Sequence, residues 1–235
     1  MADRDLSLVS RNENTIDQRP SSAPVQFSLL EIKEHFDETL ASITSEYQIA
    51  EELIAAGKTE ECKTIWRSQV VFLEGLLDYF IHEISKYALY QMFCGEWERS
   101  VKFESIMVPM SQVEVAVASS ESKVWFFEYL NSSLSRRVFL GAKEMNDQLN
   151  QIGVGFNAVM HRAFQKSDEQ YSRQYGWRIV EDLYKRRNEI AHQNDRDHAT
   201  AVQNDITREF VEQSADNIKR IVNAIFDLAK ENDDT

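Results

Sequence analysis

The sequence predicts an all-α fold, a single-domain bundle of long helices. Three observations predict it. Only 7 glycines and 3 prolines occur in 235 residues, too few for the many turns of an all-β fold or for a glycine-rich nucleotide cradle. Apolar residues recur at steps of three and four over long stretches, the period of a helix face. The one strand-like alternation, Val113, Val115 and Val117, is short.

Residues 1–25 are polar, with Pro20, Pro24 and the run SSAP, and read as a mobile leader. Phe36, Leu40, Ile43, Tyr47, Ala50 and Ile54 then draw a narrow apolar stripe down one helix face, and Gly57 is its natural stop. A longer helix follows through Ile65, Trp66, Val70, Leu73, Leu77, Phe80, Ile84 and Ala88, closed by Gly95. Val71 and Leu76 widen its stripe, which predicts burial on more than one side. Its Glu74, Asp78, His82 and Glu83 need partners or water, and the helix that carries the motif described below is a candidate to supply them.

Residues 101–121 read as a loop or an irregular hairpin. VWFFEYL (124–130) restores helical character, an amphipathic stretch runs from Ala142 to Ile152 until Gly153 and Gly155 break it, and Phe156–Phe164 is a short helix. The segment QKSDEQYSRQYG reads as a polar linker. A strong helix runs from Trp177 to about His192, and QNDRDH interrupts it. Thr200 and Gln203 have capping-box spacing before a last helix carrying Val202, Ile206, Phe210, Ile218, Ile221, Val222, Ile225 and Leu228. The division is a leader at 1–25, a helical domain at 26–231 and a solvated acidic tail at 232–235.

Lys and Arg total 26 against 39 Asp and Glu, a net charge of −13. That excludes a general polyanion binder and leaves nucleic acid only a local basic patch. Between His161 and His192, seven cations outnumber five anions. Cys62 and Cys94 are far apart and form no C-x-x-C pair, so a disulfide framework or thiolate zinc site is not expected. No secretory h-region follows the start, and Glu74 and Asp78 interrupt the longest apolar run, Val70 to Ile84. A soluble cytoplasmic protein with no membrane partner is expected. Gly153-x-Gly155 lacks the strand and third glycine of a dinucleotide site, and no cofactor is expected. His192, Asp195, Asp197 and His198 lack zinc-site spacing, so no metal is expected either.

One cluster has complementary chemistry: Lys185, Arg186, Arg187, Asn188, Glu189, Ile190, Ala191, His192. Arg187 is a planar cation able to grip a phosphate bidentately. Asn188 can position a phosphate oxygen or the imidazole, and His192 can move protons near neutral pH. Arg187 and His192 are five residues apart, about 140° on an ideal helix, so they do not share one face tightly but can still converge where the helix frays into the loop or onto a cleft between two subunits. On residue chemistry alone the cluster also reads as a solvated helix end favourable to the helix dipole.

The string RRNEIAH, the polar loop and long amphipathic helix after it, and the apolar, acid-bearing helix RSQVVFLEGLLDYFIHEI (67–84) before it resemble the HEPN superfamily, whose signature is R-x(4–6)-H. The stretch from VWFFEYL to LNQIG is similar to the larger bacterial RiboL-PSP-HEPN group. The resemblance covers most of residues 27–230. It implies a two-fold homodimer with the site at its interface, and a metal-independent endoribonuclease acting as a toxin or anti-phage effector. An antitoxin or regulatory protein that neutralises it is an implied partner. Arg187, Asn188 and His192 are the implied catalytic residues, with Lys185 and Arg186 binding the RNA substrate. Non-catalytic binding forms of the superfamily usually lack the Arg or the His, and this chain has both. The alternative is a non-enzymatic helical module that binds protein or RNA. The chemistry is self-consistent: RNA carries its own nucleophile, the 2′-OH. The protein must then supply a base, an acid and a cation for the phosphorane charge, and a two-fold interface would double each group.

Overall fold

A computed structural model describes residues 25–118 and 122–233. These residues form eight α-helices and no strand. In order they are α1 (Leu29–Ala55), α2 (Thr59–Cys94), a 3-10 turn (Phe103–Ser105), α3 (Met110–Ala118), α4 (Val124–Leu134), α5 (Ala142–Gln151), α6 (Phe156–Phe164), α7 (Glu169–Gln193) and α8 (Arg208–Asp233). The expected leader at 1–25 lies outside the described residues apart from Val25. Among the described residues no helix is long and apolar enough to cross a membrane.

Helix α1 starts at a capping box. The Ser28 hydroxyl accepts from Glu31 N at 3.3 Å, and the Glu31 carboxylate accepts from Ser28 N at 2.7 Å. Its predicted stripe buries Phe36, Leu40, Ile43 and Ala50. Helix α2 is the axis of the bundle and packs against α1, α4, α5, α7 and α8. Leu73, Leu77, Phe80, Ile81 and Ile84 are buried along it, as its widened apolar surface predicts. Gly95 ends it at φ 84°, a left-handed position that suits glycine.

Four expectations are corrected. Among the described residues, 101–118 hold no hairpin: a 3-10 turn (Phe103–Ser105) and α3 (Met110–Ala118) lie there. The valines at 113 and 117 stand four apart, which serves a helix face as readily as a strand. Helix α3 buries none of its residues, so its weak apolar pattern had no core to report. The polar linker is largely helix. Asp168 caps α7 by accepting from Tyr171 N at 2.7 Å, and eight residues before Trp177 are already helical. Thr200 and Gln203 do not cap the last helix. They lie in a loop bridged between Arg196 and Gln203, and the Thr207 hydroxyl, accepting from Phe210 N at 3.3 Å, starts α8 instead. The expected acidic tail begins inside a helix. Asp233 accepts from Tyr87 Oη at 2.9 Å and from Trp97 Nε1 at 2.8 Å, which ties the end of α8 to α2.

The polar first half of α7 packs through small residues. Ser172 and Gly176 are buried, and α6 crosses there. A Cβ added at Gly176 would lie 2.6 Å from Met160 Cγ and press on Met160 Cβ as well. The obstacle is the root of that side chain, so α6 must move. Gly176→Ala is expected to destabilise by about 1–2 kcal/mol, the overpacking cost exceeding the gain in helix propensity. A thermal melt checks this; a variant melting at or above the parent would refute the close approach.

Candidate active site

Helix α7 ends in two left-handed residues, Asn194 (φ 51°) and Asp195 (φ 57°), a conformation that Asn and Asp tolerate better than most residues. Asp195 N donates to Glu189 O at 2.9 Å, which satisfies a carbonyl of the last turn. This reversal buries the Asp195 side chain completely. Its carboxylate accepts from Arg67 Nε on α2 at 2.6 Å, from Arg186 Nη2 at 3.0 Å and from Asn204 Nδ2 at 3.3 Å. Arg186 Nη1 is a further close partner. The same guanidiniums reach the loop backbone: Arg67 Nη2 donates to Asn204 O at 2.8 Å, and Arg186 Nη2 to Asp205 O at 3.0 Å. One carboxylate thus joins α2, α7 and the 194–207 loop.

The next residue points into different chemistry. Arg187 Nη1 donates to Asn188 Oδ1 at 3.0 Å and lies 3.4 Å from His192 Nε2. An arginine N–H can only donate, so in this contact Nε2 can only accept, which the tautomer with its hydrogen on Nδ1 allows. In that tautomer the lone pair of Nε2 faces Arg187 Nη1. The structure therefore brings Arg187, Asn188 and His192 together within one chain, and the reach of the arginine spans the helical offset between them. His192 is exposed, and Arg187 and Asn188 are half-buried. Lys185 stands outside this group, its side chain 78% exposed and only 3.9 Å from Glu189. Arg186 is drawn away into the Asp195 cluster.

The carboxylates of α2 divide their tasks. Asp78 accepts from Phe139 N at 2.8 Å, and His82 Nε2 meets Arg137 O at 3.1 Å while its ring lies against Phe139. These two hold the α4–α5 connection. Glu83 pairs with Lys86 at 2.7 Å. Glu74 is buried and feels Arg187 electrostatically, so one of the four does face the motif helix. Burial pushes its carboxyl up to about 8; Arg187 opposes that shift and Asp78 adds to it. Glu74 Oε2 and Arg187 Nε are both buried without a hydrogen-bond partner among the described residues. No group of three or more metal-ligating side chains occurs among the described residues. Asp197, one of the acids near His192, is occupied in the loop turn, accepting from Thr200 N at 2.8 Å.

The sequence reading missed the Asp195 cluster. Its partners at 67 and 204 are remote in the chain, and nothing in the local string QNDRDH shows that an aspartate will be buried there.

Two outcomes follow. Asp195→Asn keeps a residue that tolerates a left-handed backbone yet removes the buried carboxylate that Arg67 and Arg186 share, leaving Arg186 only its looser 3.5 Å contact with Glu189. It is expected to cost about 3–5 kcal/mol, the range for breaking a buried ion pair; a melt within a degree of the parent would disprove the clamp. Glu74 binds its proton more tightly folded than unfolded. Its contribution to stability is therefore complete below its ordinary 4.5, declines as pH rises, and is gone above about 8. Melting temperatures across that range are expected to fall more steeply for the parent than for Glu74→Gln, and parallel curves would contradict this.

Residues 121–231 match the family model RiboL-PSP-HEPN. This match is narrower than the expected 27–230, leaving α1 and α2 outside it. No curated protein and no solved structure matches the chain. The matched stretch holds α4 through α7, nearly all of α8 and the whole Arg187–Asn188–His192 group, so residues 121–231 of this chain are a RiboL-PSP-HEPN domain, a member of the HEPN superfamily.

Proposed function

We propose that the protein is a metal-independent endoribonuclease that cleaves RNA through attack of the 2′-OH, serving as a toxin or anti-phage effector. HEPN domains act on RNA and are typically ribonucleases. The observation that carries the reading is the 3.4 Å approach of Arg187 Nη1 to His192 Nε2 at the exposed end of α7. Nε2 takes the proton of the 2′-OH, the oxygen attacks the adjacent phosphorus, and the 5′-oxygen leaves with a proton from a second carrier. Arg187 neutralises the charge that develops on the phosphorane oxygens. Asn188 holds the Arg187 guanidinium, and Lys185 is free to meet a neighbouring phosphate. Arg186, engaged by Asp195, belongs in this reading to the scaffold and not to the RNA contacts.

The second proton carrier comes from a second copy. HEPN domains often dimerise, and α2, which packs on α7, turns Phe72 and Tyr79 outward, 56% and 40% exposed. A two-fold arrangement that covers them and brings two α7 ends together would supply two histidines and two arginines to one cleft. An antitoxin or regulatory protein would restrain the activity by covering the same end.

The test is cleavage of a single-stranded RNA in EDTA by the parent and two alanine variants. His192→Ala is expected to lose about 10²–10⁴-fold and Arg187→Ala about 10²–10³-fold, both with unchanged melting temperatures. Arg187→Lys should restore only part, because an ammonium lacks the planar fork. Products should carry a 2′,3′-cyclic phosphate, and an all-2′-deoxy strand should survive. Undiminished cleavage by the His192 variant, or none by the parent, sinks the reading and leaves the non-enzymatic binding module, which the net charge of −13 suits for a protein partner.

A further inference from the structure

Glu74 and Arg187 are two buried groups, an acceptor and a donor, that attract each other without being joined. Glu74 has 1% of its surface exposed. Its Oε2 and the Nε of Arg187 are both shielded from water and lack a hydrogen-bond partner. The charged groups that act on Glu74 are Arg187 from α7 and Asp78 from α2 itself, and Asp78 is engaged by Phe139 N. A buried donor and acceptor left unmade carry a cost that a bond between them removes. The guanidinium is a fork with one edge at Nε and two ends at Nη1 and Nη2. Nη1 already lies toward Asn188 and His192, and Nε is the atom that burial leaves without water or a partner among the described residues.

We propose that Glu74 is a positioning residue for Arg187, its carboxyl accepting from the Nε–H edge when RNA binds and so directing the Nη1 and Nη2 ends at the scissile phosphate. The identity of that phosphate rests on the ribonuclease reading. The neutral carboxyl is the productive holder. Its carbonyl oxygen accepts from Nε–H while leaving the whole cationic charge of Arg187 to the substrate. The ionised carboxylate would compete with the phosphate for that charge. Burial keeps the carboxyl neutral until about pH 8. A phosphate on Arg187 cancels the influence that lowers Glu74, so RNA binding draws a proton onto Glu74 at alkaline pH.

The experiment follows binding of a fluorescent 2′-O-methyl RNA oligonucleotide, which cannot be cleaved, by the full chain from pH 6 to pH 9. Unmodified RNA cleavage runs in parallel. The parent's Kd is expected to weaken about tenfold between pH 7 and pH 9 as the carboxyl ionises. Glu74→Gln, which mimics the neutral acid, should bind as the parent does at pH 6.5 and lose the alkaline step. Glu74→Ala should bind about tenfold more weakly throughout, by analogy with lost supporting partners at other sites. A Gln variant that keeps the parent's alkaline step, or an Ala variant that binds as the parent does, overturns the proposal while leaving the nuclease intact. An alkaline step without cleavage sinks the ribonuclease reading and retains Glu74; no binding at all refutes both. Should the Gln variant fail to fold, calorimetry in two buffers at pH 8 decides with the His192→Ala protein. Proton uptake on binding supports Glu74, and its absence overturns the role.

Discussion

The burial of Asp195 between Arg67 and Arg186 is the constraint on which the rest of the site depends. A carboxylate with no exposed surface is tolerable only when several donors replace its water, and here two guanidiniums and an amide do so. Bringing the side chain inward requires the backbone to reverse at Asn194 and Asp195, and that reversal ends α7. The last turn, which carries His192, is then fixed at its carbonyl end by Asp195 N and at its base by the pairing to α2. Lys63 adds a second tie, 2.9 Å from Asp205 on the same loop. An isolated helix end frays; this one is held on both sides, so a histidine in its final turn keeps a defined place.

Adjacent arginines on one helix point about 100° apart, and the chain uses that angle to separate structure from chemistry. Arg186 turns to a carboxylate that meets it in direct hydrogen bonds and takes up its charge. Arg187 acts on Glu74 only through its charge, with no hydrogen bond between them, and burial pushes the Glu74 carboxyl up to about 8. The first arginine is neutralised inside the fold. The second keeps its charge, and its Nη1 end reaches the exposed His192. A cation retained at the edge of an acidic chain is a local feature, and it suits contact with one or two phosphates better than a long polyanion track.

The sequence and the structure agree where burial writes a pattern into the chain. Helices α1 and α2 are legible because their apolar stripes face a core and Gly57 and Gly95 stop them. Helix α3 was not, because it buries nothing. The first half of α7 was not, because it packs by Ser172 and Gly176, residues whose smallness matters and whose polarity suggests a linker. Val202 and Ile206 carry helical spacing without being helical. Ile206 is buried where the loop returns to the bundle, whereas Val202 is 65% exposed.

At the candidate site, the string from Lys185 to His192 supplies the side chains of the proposed chemistry, but their contacts depend on partners that no local spacing reveals. Helical geometry alone set Arg187 and His192 apart, and the length of the arginine side chain closes the gap. Nothing near residue 186 says that it will serve Asp195, because Arg67 and Asn204 complete that cluster from distant parts of the chain. Glu74 was visible as a charge on an apolar helix, a local anomaly that required some answer. Part of the answer is burial, which pushes its carboxyl up, and part is the Arg187 charge on α7, which opposes that shift. The family match covers α7 and leaves α2 out, yet α2 supplies Arg67 to the clamp and carries Glu74, whose carboxyl feels the Arg187 charge. The matched domain therefore reaches its site geometry only with the preceding helix packed against it.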